Sequence, residues 1–154
     1  MAAKAIRAFN ASAFNIEMFL RRYFASPSAF RAMQDRTGTI IAGSTALSFF
    51  DRSIHKEDNV NLYVNPGHNY EVARHLVDFQ GYTFQPATNR GHDLAQTFEQ
   101  LDNIERRECV YSVITIDGAH RFTRSLDSGQ TIEVLLMSTA RSPMHALLSA
   151  HSSA

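Results

Sequence analysis

The residues best suited to do chemistry lie between Thr39 and Val64, in the stretch TIIAGSTALSFFDRSIHKEDNVNLYV. A short apolar run, Thr39 to Ala42, leads into Gly43-Ser44-Thr45, and Ala46-Leu47-Ser48-Phe49-Phe50 then has the character of a helix. A strand that passes through Gly-Ser into a helix is suited to phosphate. Backbone N–H groups at the helix start point outward and favour anions, and glycine lets a phosphate come close to the chain. Gly43, Ser44 and Thr45 are therefore the expected substrate contacts, and Ser44 is also suited to cap the helix. Further on, Asn59-Val60-Asn61-Leu62-Tyr63-Val64 alternates strictly. Strand side chains repeat every two residues, so Asn59 and Asn61 share one side while Val60, Leu62 and Val64 take the other.

These residues depend on the elements around them. From residue 5 to Phe24, apolar residues at 6, 9, 13, 16, 20 and 23 follow the helical period. Ser26-Pro27 reads as an N-cap followed by proline at the first helical position, opening a short helix to Arg36 with Gly38 as its stop. Asp51 to Asp58 is a loop before the Asn strand. Pro66-Gly67 ends that strand, and a helix from Asn69 to Phe79 places Val72, Leu76 and Phe79 on one face. Gly81 stops it, and Tyr82-Thr83-Phe84 is a short strand. Residues 85–92 are rich in turn formers. A helix follows from Asp93 to Arg106, with Leu94, Phe98 and Leu101 aligned. A β-meander is expected next: Cys109 to Ile116, a hairpin at Asp117-Gly118, a weaker strand over 120–124, a turn at Asp127-Ser128-Gly129, and a strong strand from Thr131 to Met137. Ser142-Pro143 opens a last short helix. The order α-α-β-α-β-α-β-α-β-β-β-α implies a mixed sheet of the α+β or α/β class.

Taken together, strand, Gly43-Ser44, helix and the correctly spaced strand at 59–64 resemble the nucleotidyltransferase superfamily, the DNA polymerase beta-like fold. The words AGSTALSFFDR, NLYVNPGHNYEVARHLV, GYTF and SPMHALLSAHSS are also similar to those of a group of fungal proteins, over roughly residues 25–151. The resemblance implies an α+β, nucleotidyltransferase-like mixed sheet flanked by helices. It implies one domain over 1–154, with a helical segment at 1–36 and a core at 37–154. It also implies an ancestor that moved a nucleoside monophosphate from a triphosphate to a hydroxyl.

The chain departs from the family pattern where the family has Asp-x-Asp. Asn59 and Asn61 stand at two of the three catalytic carboxylate positions, and Glu133 in TIEVLLM fits the third. In active members those acids hold two divalent metal ions. Magnesium prefers anionic oxygen ligands, and each asparagine offers one neutral carbonyl oxygen. The first expectation is thus an impaired enzyme that binds nucleotide, phosphate or a partner, and needs no metal. An active transferase using Mg2+ or Mn2+ is the alternative, relying on Glu133 with Asp58 or on an altered metal site. Asp58 faces away from Asn59 if the strand register holds. A protein-interaction module on the same scaffold is the third reading. The Asn pair is either a natural divergence or an isosteric Asp-to-Asn exchange that silences the site.

Composition narrows the field. The chain has 154 residues, 44% of them hydrophobic, which excludes a disordered chain. No apolar run reaches the ~18–20 residues that span a bilayer, so no membrane partner is expected. One cysteine, Cys109, forms no internal disulfide, and it reads as a buried, inert thiol. A reducing intracellular location, cytoplasmic or nuclear, follows as an expectation. Basic and acidic residues balance at 15 each, so nucleic acid is not indicated. Residues 1–50 nevertheless carry six basic side chains against two acidic ones, which offers a surface for a protein partner or a second copy. Arg52 and Lys56 precede the Asn strand and read as loop charges. The seven histidines lack metal-ligand spacing, and His68 reads as a helix-start residue.

Overall fold

The computed structural model describes residues 15–51, 58–86, 93–104 and 116–151. In those stretches the chain forms helices α1 (Ile16–Leu20), α2 (Pro27–Thr37), α3 (Ser44–Asp51), α4 (Asn69–Asp78), α5 (Leu94–Ile104) and α6 (Pro143–His151), and strands β1 (Ile40–Ala42), β2 (Asn59–Val64), β3 (Thr83–Gln85), β4 (Ile116–Ser125) and β5 (Thr131–Thr139). The architecture is α+β. The five strands form one mixed sheet in the order β1-β2-β5-β4-β3. β2 and β5 run parallel, and β1/β2, β5/β4 and β4/β3 are antiparallel.

Strand alternation decides which face is covered. Val60, Leu62 and Val64 of β2, Ile132, Val134 and Leu136 of β5, and Phe122 of β4 pack into one core with Leu20, Phe24, Phe30, Met33, Val72, Leu76 and Phe98. Helices α1, α2, α4 and α5 supply that cover, so the described part of the N-terminal segment shares the core. Each large apolar side chain buried there contributes about 1.5–3 kcal/mol. Phe24 and Phe30 stack with ring centroids 3.7 Å apart. On the other face, Asn59, Asn61, Tyr63, Glu133, Leu135 and Met137 all keep contact with solvent.

Several local expectations give way to longer-range contacts. A helix running unbroken from residue 5 to Phe24 is ruled out because Asn15 is extended. Its Oδ1 accepts from the Met18 N–H at 3.0 Å and starts α1 at Ile16, which ends at Leu20; residues 5–14 of the expected helix lie outside the described residues. Ser26 holds the N-cap place of α2 without a side-chain bond. The buried Gln80 carboxamide ties down this end instead: its Oε1 accepts from the Ser26 N–H and its Nε2 donates to the Ser26 carbonyl. At the other end of α2, Gly38 adopts φ 66° and donates to the Gln34 carbonyl, as the stop signal implied. Phe79 lies past the end of α4 and is mostly exposed rather than in the core.

Asp117-Gly118 forms no hairpin. Both residues lie within β4, where pairing with β5 is irregular between Ile116 and Gly118. Gly118 is not among the glycines of positive φ that a tight primed turn would need. The reversal comes at 127–129, closed by the Leu126 N–H to the Gln130 carbonyl and by Gly129 at φ 82°. The strand expected over Cys109–Ile116 lies outside the described residues except for Ile116.

Candidate functional site

The site is assembled where β1 hands the chain to α3 at the edge of β2. Ala42 pairs with Asn61, and Gly43 follows at φ +83°, a conformation that L side chains rarely adopt. A Cβ at Gly43 would stand 3.0 Å from Asn61 Nδ2. The glycine therefore meets two requirements: the backbone turn and the room for the Asn61 carboxamide. The Gly43 carbonyl accepts from the Leu47 N–H, so Gly43 takes the N-cap place that the sequence suggested for Ser44, and the helix begins at Ser44 itself. Both residues are exposed at this corner.

Thr45 is directed elsewhere than expected. It is buried, and its hydroxyl donates to the Asn59 backbone carbonyl at 2.5 Å. That bond ties the first turn of α3 to the start of β2. Thr45 thus positions the strand, and its hydroxyl is already committed to the backbone.

Asn59 and Asn61 sit two apart on the open face of β2, as alternation requires. The parallel ladder pairs Asn59 with Glu133 and Asn61 with Leu135. Partnered residues of a ladder share a face, so Glu133 stands beside Asn59. Asp58 is directed away. Its carboxylate accepts from Gln130 Nε2 on the turn before β5, and its carbonyl accepts from the Glu133 N–H at 2.7 Å. Arg52 and Lys56 lie outside the described residues.

One charged residue on this face was not singled out from the sequence. Arg121, on β4, pairs across the ladder with Leu135, and Thr123 pairs with Glu133. The Arg121 side chain leans along the sheet so that Nε stands 3.2 Å from Glu133 Oε2. A signal for it existed. A reversal centred on Ser128 pairs 123 with 133 and 121 with 135, which lays Arg121 diagonally across from Glu133.

Two divalent cations bring four positive charges and need anionic oxygens. This face presents two neutral carboxamides and one carboxylate that already has a guanidinium partner. These residues do not fit a two-metal centre. Among the described residues, no group of three or more His, Cys, Asp or Glu side chains converges as a metal site.

Three of the described histidines, His68, His75 and His120, serve the fold. His68 occupies the N-cap place of α4, and its Nδ1 lies 3.2 Å from Glu71 Oε2, with Arg36 Nε on Glu71 Oε1. Burial works to raise the Glu71 carboxyl, but Arg36 and His68 outweigh it and hold the group below its ordinary value. His75 is buried with Nε2 against Gln80 Nε2 at 2.8 Å. Burial, aided by Arg36, lowers its pKa. His120 packs on Phe98 at 4.7 Å between ring centroids, and burial lowers its pKa too. Among the described residues, no helix is long and apolar enough to cross a membrane. No protein-family model, curated protein or solved structure matches this chain.

Proposed function

We propose that this chain is a nucleotidyltransferase-like protein that binds a nucleotide or its phosphates without the two-metal chemistry of active relatives. The meeting of Asn61 with Gly43 carries the reading: the second position of the degenerate acid pair lies against the glycine that opens α3. Further support comes from Glu133 beside Asn59 on the neighbouring strand, the place the resemblance gives to the third acid. Outward N–H groups at the start of α3 offer an anion its donors. The Asn59 and Asn61 carboxamides offer both donors and acceptors to a ribose or base.

An active transferase would need more acids on this face. Asp58 is the nearest in sequence, and its carboxylate is held by Gln130. No catalytic step is therefore derived.

Thermal unfolding with each nucleoside triphosphate, in chelator and again in Mg2+ or Mn2+, tests the proposal. Stabilisation by nucleotide in chelator is expected. Stabilisation only with metal, or none with any nucleotide, overturns it.

A further inference from the structure

On the open face, the one carboxylate at the superfamily's acid positions is engaged by a guanidinium from the next strand. β5 lies between β2 and β4, so the ladders set two rows across the sheet: Asn59, Glu133 and Thr123 in one, and Asn61, Leu135 and Arg121 in the other. Arg121 leans from its own row to reach Glu133 in the first, at 3.2 Å. The pair keeps Glu133 electrically balanced without any ion. Both partners are solvent-accessible, at 60% for Arg121 and 37% for Glu133.

We propose that Arg121 is the tethered counter-ion of this face and takes the place of a divalent cation. The proposal rests on the placement of the site given above. The chain has then diverged from a metal site at three positions. Asn59 and Asn61 remove two negative charges, and Arg121 occupies the remaining one. Restoring the two aspartates returns only part of a metal site, because a divalent cation must still displace, or share Glu133 with, a fixed positive charge a few ångströms away.

Titration with Mn2+ alone, read by calorimetry and by the paramagnetic signal of free Mn2+, tests this on four proteins. These are the unsubstituted chain, Asn59→Asp/Asn61→Asp, that pair with Arg121→Gln, and that pair with Arg121→Lys. All the exchanges are at solvent-accessible positions, and circular dichroism with thermal unfolding confirms that each variant is folded. The unsubstituted chain should bind no Mn2+ in the micromolar range. The aspartate pair should bind weakly, and adding Arg121→Gln should tighten binding at least tenfold. Arg121→Lys keeps the charge and should leave binding as weak as in the aspartate pair. Equal affinity in the aspartate background with and without Arg121→Gln overturns the proposal. So does micromolar binding by the unsubstituted chain. If neither the aspartate pair nor its Arg121→Gln derivative binds Mn2+, then Asn59, Asn61 and Glu133 do not converge, and both the proposal and the function fall. Loss of nucleotide stabilisation in chelator, with the Mn2+ series as expected, sinks the function and leaves the role of Arg121 standing.

Discussion

The two faces of the sheet are built from the same strands on opposite rules. Along β2, the side chains turned to the helices are Val60, Leu62 and Val64, all with no solvent contact. Those turned away are Asn59, Asn61 and Tyr63. Along β5, Ile132, Val134 and Leu136 are buried, whereas Glu133 and Leu135 are not. The covered face holds the fold together by apolar burial, which is strong and makes a polar side chain without a partner costly. The open face carries polar and charged groups whose mutual attractions are weak in water. Its content can therefore change with little cost to the fold.

Substitutions that break the comparison should differ in size accordingly. The largest effect is expected on the covered face: Leu62→Ala should lower unfolding free energy by about 2–5 kcal/mol in a denaturant titration. Gly43→Ala, at the corner between the faces, should cost on the order of 1–3 kcal/mol from strained backbone, and it should also abolish nucleotide stabilisation by crowding Asn61. Asp102→Ala should cost about 1 kcal/mol, because the Asp102 carboxylate of α5 accepts from the Asn69 and Tyr70 N–H groups and so caps α4. Arg121→Gln alone should change stability by less than about 1 kcal/mol, as an exposed ion pair does.

Acid should act on the covered side. His75 and His120 have pKa values lowered in the folded state, chiefly by burial, from an ordinary value of 6.5. The unfolded chain therefore takes up protons on these groups more readily than the folded one. Their contribution is complete above pH 6.5 and is lost as pH falls through that value toward the lower folded pKa values. Melting temperatures at about pH 7.5 and about pH 5.5 should show this loss, and His75→Gln should reduce it. Equal melting temperatures at the two pH values would disprove the assignment.

Much of the framework was legible in local sequence. β2 starts and ends where the alternation does, and α2 lies between Pro27 and Gly38 because both residues act through their own backbone. The Gly43 corner was legible for the same reason. Expectations failed where a distant side chain decided the matter. Ser26 makes no side-chain cap bond, and its backbone N–H and carbonyl are held instead by Gln80, 54 residues away. Thr45 turns its hydroxyl to the Asn59 carbonyl, 14 residues away, rather than toward a ligand. Asp117-Gly118 has the composition of a turn, but pairing with β5 holds it extended through the irregularity.

By itself the sequence determined the apolar and polar sides of β2, the glycine turn before α3 and the amides at 59 and 61, because each follows from steric preferences or pleat period within a few residues. Only the tertiary structure decided that β5 lies parallel to β2 with Glu133 beside Asn59, and that Arg121 reaches across to it. Strand order and pairing depend on how the helices bury one face of the whole sheet, and no short stretch of chain carries that information.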